Sequence, residues 1–380
     1  MKAAETPDQP AAKPRLEALD SFRGISALMV VLYHSSFPGF IHDLSVVRNA
    51  YLFVDFFFVL SGFIMFYNYK NLQGIGEFRR FIGLRFFRLY PLHLATLLAV
   101  LCWQDLYSLA RSAADWTLFG SDGAVALLLN ITLTNGFGIR PSSFNVPSWS
   151  ISTEFWTYLI FGLTVMLSRG RTRITIACVF TLVAAASLAI LLGVVHLVNL
   201  GTMNFFRCTF GFFLGATLCA ALAERPAFVP ETRHPMIGNT VQMLLILGAV
   251  LMISYGGKTA WDFSIPFIFS AIIASIIVWP RTRLTTIAQS RIAMWLGRHS
   301  YSLYMVHWLV YIAINTLLRT VGHVSQTKGQ FVMGSTAGFL LLALSVTLTL
   351  ALASVTFRYI EEPGRLLGRR IFSAAPRSSA

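Results

Sequence analysis

The chain has 380 residues, of which 56% are apolar and only 12% charged, about half the charged share of a soluble globular domain. Apolar runs close to span length recur from end to end, and a bilayer crossing needs about twenty such residues. The composition excludes a pair of ordinary soluble domains. It predicts an all-α, polytopic transmembrane bundle of about ten spans, plus one re-entrant or half-membrane segment.

Residues 1–19 are polar, with Lys2, Lys13 and Arg15, and read as a short cytoplasmic tail. No small-residue cleavage site follows a short apolar core, so the first span reads as an uncleaved anchor. Spans are predicted near 21–41, 50–68, 89–108, 148–167, 174–196, 204–223, 238–255, 263–280, 295–318 and 332–357. They make one membrane domain over 20–360, followed by a cytoplasmic tail over 361–380. The net charge of +14 is distributed for lipid rather than for nucleic acid, which is not an expected partner. With the N-terminus inside, only Arg48, Arg111, Arg140, Arg207, Lys258, Arg319 and Lys328 fall in outer segments. Basic residues then favour the inner side by roughly three to one, which places both termini in the cytoplasm.

The first span contains "LDSFRGISALMVVLYHSS", with Arg23 and His34 eleven residues apart. That separation is three helical turns plus ~20°, so both point to one face, about 16 Å apart along it. Arg23 reads either as an inner membrane anchor or as a cation holding an anion. The second span, "FVDFFFVLSGFIMFYNY", carries Asp55 near its outer end and Ser61–Gly62, small enough for close helix approach. The inner connection "EFRRFIGLRFFRLYPLHLA" reads as a basic amphipathic helix. It either rests on anionic lipid or grips an anionic ligand, with Arg85 and Arg88 on one face.

"GAVALLLNITLTNGFG", residues 123–138, is short and interrupted by Asn130 and Asn135. It is the predicted half-membrane segment, and irregular backbone at that depth requires surrounding protein or a wet cavity. Next comes "PSWSISTEFWTY", with Trp149 and Glu154, and later "YSLYMVHW", with His307. Cys102, Cys178, Cys208 and Cys219 lie in apolar runs without metal-type spacing, so no metal is expected. Internal repeats, a G-x-S-x-G elbow and a nucleotide loop are also absent from the sequence.

Ionisable groups inside spans are costly and mark function by default. His34 and His307 lie ~20 and ~18 Å up their helices, while Asp55 and Glu154 lie about 7–9 Å down from outer ends. All four are therefore predicted in the outer half, as a layer capable of proton transfer. Local structural roles, capping for Asp55 and packing for His307, remain open beside that reading.

Four motifs in order resemble those of the acyltransferase-3 family of integral membrane carbohydrate O-acyltransferases. They are the arginine–ten residues–histidine of the first span, "FVDFFFVLSGF", "RFFR" and "VPSWSISTEFWTYLIFG". The resemblance extends over essentially the whole chain. It implies transfer of an acyl group, usually acetyl, from cytoplasmic acyl-CoA to a carbohydrate or glycolipid hydroxyl beyond the membrane. Acceptors of this class include exopolysaccharide, lipopolysaccharide and signalling oligosaccharides. Carried over by position, His34 is the catalytic histidine, and Arg23, Arg85 and Arg88 bind acyl-CoA. Asp55 or Glu154 would orient the imidazole, and Trp149, Ser61 and His307 would line the acceptor side. The resemblance is to stand-alone members without an appended extracellular domain, in the inner membrane of a bacterium. A transporter or flippase for a lipid-linked sugar is the rival, but its internal hydropathy symmetry is not visible.

Overall fold

The computed structural model describes residues 17–111, 123–139, 144–170, 172–193, 200–223, 234–256, 260–327 and 329–372. The expected tails over 1–19 and 361–380 thus lie partly outside the described residues. The helices that matter here are α1 (Glu17–Tyr33), α2 (Phe53–Tyr69), α3 (Gly74–Arg111), α4 (Gly123–Ile131), α5 (Trp149–Leu167) and α6 (Thr172–Gly193). After them come α7 (Leu200–Ala223), α8 (Pro235–Tyr255), α9 (Ile265–Val278), α10 (Arg291–Thr320), α11 (Ser335–Thr356) and α12 (Glu362–Ile371). A two-stranded hairpin, Gln326–Thr327 with Gln330–Phe331, joins α10 to α11.

Among the described residues, eight helices are long and apolar enough to cross a membrane. The other two expected spans are shorter. α1 has 17 residues and carries Glu17 and Asp20 in its first turn, where acids suit the helix dipole. The apolar part of α6 runs over Thr172–Ser187 within the described residues.

Glycines decide which helices touch. A Cβ at Gly24 of α1 would collide with the backbone of Leu296 and Gly297 on α10, and one at Gly297 with Asp20. The two helices therefore lie backbone to backbone, α1 along α10. Gly62 of α2 and Gly215 of α7 do the same, against the carbonyls of Phe212 and Val59. The "SG" pair of the second span thereby brings Ser61 beside α5. In α10, the N-cap Ser290 accepts from the Ala293 N–H at 3.4 Å.

α4 is too short to cross, nine residues or about 13 Å. Irregular backbone follows and is satisfied by α5. Ser152 donates to the Leu133 carbonyl at 2.6 Å, Trp156 to the same carbonyl at 2.8 Å, and Asn135 to Ser148 at 2.9 Å. His93 Nε2 of α3 lies 2.9 Å from the Asn130 backbone carbonyl oxygen. Leu133 takes a left-handed φ of 55°, a conformation held by those bonds.

Candidate active site

A cavity of about 420 Å³ opens between α1, α2, α3, α5, α10 and α12. Six arginines line it: Arg23, Arg85, Arg88, Arg298, Arg365 and Arg369. Only two carboxylates, Asp20 and Glu154, share that wall. Five of the residues singled out from the sequence meet here: Arg23, Ser61, Arg85, Arg88 and Glu154.

The inner arginines are positioned differently. Arg23 donates to Ser300 at 2.8 Å and to the Gly297 carbonyl at 3.2 Å, and pairs with Asp20 at 3.2 Å. The close α1–α10 approach makes those bonds reachable. Arg85 reaches the Tyr69 hydroxyl at 3.3 Å, and its buried Nε has no hydrogen-bond partner. Arg88 donates no hydrogen bond and forms no ion pair within 4 Å among the described residues. Glu361, Glu154 and Asp20 lie within electrostatic range of it. Glu361 itself sits buried on a π-helical turn, Phe357–Glu361, and accepts from Ser302 at 2.7 Å. Such turns recur at functional sites.

Glu154 is held by hydroxyls. Its Oε1 accepts from Tyr158 at 2.6 Å, one turn along α5, and from Ser61 of α2. Among the described residues its Oε2 makes no hydrogen bond, and the residue borders the cavity.

The histidines stand just beyond the cavity. Ser300 and Tyr304 line it on α10, and His307 lies on the same stripe one turn further. His34 Nδ1 is 3.0 Å from the Val30 carbonyl and 3.2 Å from His307 Nε2. A carbonyl can only accept, so the proton belongs on His34 Nδ1 and the lone pair on Nε2. His307 Nε2 is then the second acceptor of that proton, while its Nδ1 faces its own helix. Trp308 and Tyr33 stand edge-on to the His34 ring, with centroids 5.4 and 4.9 Å away. Tyr304 separates the pair from the cavity. Its hydroxyl meets Ser150 at 2.8 Å and the Pro147 carbonyl at 3.0 Å, and its ring packs on Phe57.

Asp55 lies elsewhere. Arg207 of α7 takes both carboxylate oxygens, Nε to Oδ1 at 2.8 Å and an Nη to Oδ2 at 2.7 Å. Arg207 also donates to the Tyr51 carbonyl at 3.1 Å and lies over the Trp149 ring, 6.0 Å from its centroid. Among the described residues, no group of three or more His, Cys, Asp and Glu side chains comes together as a metal site.

The acyltransferase-domain family model matches residues 16–357. The chain belongs to the acyltransferase-3 family. Curated relatives include a Bacillus subtilis protein provisionally named a peptidoglycan O-acetyltransferase (YrhL), 24% identical over 94% of this chain and 56% of the relative. The O-acetyltransferase OatA of Staphylococcus aureus is 24% identical over 96% of this chain and 60% of the relative. The acyltransferase MdmB of Streptomyces mycarofaciens is 32% identical over 41% of this chain and 40% of the relative. The chain spans 56–60% of the length of the first two. No solved structure matches it.

In this acyltransferase-3 chain, the expected single layer of two histidines and two carboxylates is three separate groups. They are His34–His307, Glu154 with Ser61 and Tyr158, and Asp55–Arg207. The reason is Arg207, expected near the outer end of the span at 204–223 and counted there with the outer basic residues. It lies within α7, where an unpaired cation among apolar helices is costly, and Asp55 is its neutraliser. Among the described residues no carboxylate hydrogen-bonds or pairs with His34; its ring is oriented by the Val30 carbonyl and His307. Trp149 packs beneath Arg207 and against Phe58, outside the cavity lining. Arg298, Arg365 and Arg369 were read only as inner basic residues, and proximity to Arg88 is not legible from their spacing.

Proposed function

We propose that the protein transfers an acyl group, acetyl foremost, from acyl-CoA to a hydroxyl of an extracytoplasmic carbohydrate. By the positive-inside rule, the arginine-lined end faces the cytoplasm and both termini lie there, in a bacterial inner membrane. The observation that carries this reading is the cavity itself. Six guanidinium groups line it, Arg88 among them without a hydrogen bond among the described residues, and its wall reaches Tyr304, one turn from His307 on α10. Six arginines against two carboxylates on one wall leave an excess of positive charge that suits a polyanion, and charge-assisted, forked hydrogen bonds to phosphate are what arginine supplies. The buried, unpartnered Nε of Arg85 fits the same ligand.

Acyl-CoA bound there supplies a thioester. The acceptor oxygen forms the new ester C–O bond as the C–S bond breaks, and CoA leaves as its thiol, taking up the proton that His34 removed. Arg23, Arg85 and Arg88 hold the phosphates. His34 Nε2 takes the proton of the acceptor hydroxyl, while Nδ1–H stays directed at the Val30 carbonyl and His307 Nε2. His307 thereby shares the positive charge that His34 gains, as a hydrogen-bonded second group does for a catalytic imidazole. The names of the relatives, O-acetyltransferases and one with peptidoglycan as its acceptor, support a glycan acceptor.

The test uses the full chain in lipid nanodiscs with acetyl-CoA and a peptidoglycan-derived oligosaccharide. Free thiol should appear together with acetyl ester on the glycan, and the His34→Ala protein should bind acetyl-CoA without turnover. Wild-type protein that binds no acetyl-CoA, or a His34→Ala protein with full turnover, would overturn the proposal.

A further inference from the structure

The cavity arginines divide by position. Arg23, Arg85 and Arg88 are partly buried on α1 and α3, whereas Arg298 and Arg369 are exposed at the mouth. Neither mouth arginine forms a hydrogen bond or ion pair with the described residues. Arg365, between the groups, bridges to Glu362 at 3.1 Å and lies within electrostatic range of Arg88 and Arg369.

This arrangement is built by α12. A Cβ at Gly364 would meet the Pro91 ring at 2.8 Å, and one at Gly368 would meet Phe87 at 2.6 Å. The helix therefore lies flat on α3, the carrier of Arg85 and Arg88. Arg365 and Arg369, four residues apart, share a face and turn to the cavity, whereas Arg370 does not line it. Arginines that merely anchored a helix in headgroups would have no reason to face inward. Like charges gathered in this way repel until an anion joins them.

We propose that Arg298, Arg365 and Arg369 form a phosphomonoester subsite at the cavity mouth, which takes the 3′-phosphate on the ribose of the acyl-CoA donor. This rests on the donor reading above and deepens it. The order of groups along the ligand fixes the assignment. The thioester has to lie deepest, toward His34, with the pyrophosphate next, at the inner arginines. The ribose 3′-phosphate then stays at the mouth. A phosphomonoester carries roughly −1.5 to −2 charges near neutral pH, the strongest anion on the ligand. It meets the mouth cations that have no partner. A phosphate headgroup of an anionic lipid offers related chemistry, and the experiment separates the two.

Binding of CoA and of 3′-dephospho-CoA is measured on the full chain in phosphatidylcholine nanodiscs, then in discs containing phosphatidylglycerol. Wild type should bind CoA roughly 10- to 100-fold more tightly than dephospho-CoA, the size of a charge-assisted contact. Arg298→Ala and Arg369→Ala should each shrink that ratio about tenfold while moving dephospho-CoA affinity by no more than about twofold. Arg369→Lys should restore part of the ratio, since the charge returns without the fork. Phosphatidylglycerol should leave the wild-type ratio unchanged. Tight CoA binding with a ratio near one would overturn the subsite and leave the donor reading standing. Equal losses for both ligands, an unchanged ratio in the variants, or a ratio abolished by phosphatidylglycerol would also overturn the subsite. Wild type that binds neither ligand would overturn both readings.

Discussion

Arg207 and Arg88 are both guanidinium groups lodged among apolar helices, and they differ in what surrounds them. Arg207 has both oxygens of Asp55, the Tyr51 carbonyl and the faces of two aromatic rings. Arg88 has a cavity, five other arginines on its wall and no hydrogen bond among the described residues. A buried charge that is forked onto a carboxylate and a carbonyl holds structure together. One whose donors are idle leaves work for a ligand, because nearby carboxylates offset its charge through space while its N–H groups are left without acceptors. The same contrast separates the two carboxylates expected to serve His34. Asp55 is consumed by its arginine, while Glu154 keeps one oxygen free at the cavity edge.

The comparison can be broken or sharpened by substitution, taken here from the largest expected effect to the smallest. His34→Ala should lower kcat by about 10²–10⁴-fold, the usual worth of a positioned acid–base group. Its thermal stability in detergent should match wild type, and a parallel loss of folding would merge the two regions that are here held apart. Asp55→Ala leaves Arg207 buried and uncompensated, and should destabilise the fold by about 3–5 kcal/mol, read as a lowered melting temperature. Replacing both, Asp55→Leu with Arg207→Met, should recover most of that loss, since apolar isosteres often match a buried pair. A double variant that melted normally yet lost all activity would show that the outer pair also serves the chemistry.

Arg88→Ala should weaken acetyl-CoA binding by roughly 10- to 100-fold. Without ligand its melting temperature should hold or rise, because one of several repelling charges has gone. A fall there would make Arg88 structural, like Arg207. Smallest is Tyr158→Phe, which removes one of the two hydroxyls on Glu154 Oε1. About 1 kcal/mol is expected, seen in KM more than in melting, with the Ser61 contact still in place.

Much of the site was legible in the chain. Arg23 and His34 share a stripe because the helical period puts them there, and "RFFR" places Arg85 and Arg88 together for the same reason. Ser61 is next to a glycine because α7 must come close to α2, which also delivers its hydroxyl to Glu154. Spacing within one helix is thus readable wherever both residues lie on that helix. Partners on different helices are not. His307 reads alone as a packing or hydrogen-bonding residue, and its partner His34 follows only from α10 lying along α1. Arg207 reads as a basic residue at the outer end of its span, and its partner Asp55 follows only from α7 lying along α2. Arg365 and Arg369 read as part of a cytoplasmic tail, since nothing local reveals that α12 packs back onto α3 through two glycines.

The sequence by itself determined the helical membrane class, the family and the residues worth watching, because composition and period act within a single segment. Only the tertiary structure decided which charges are neutralised and which are left open. Helix crossings chosen by glycine contacts set those distances, and no one segment contains both sides of a crossing.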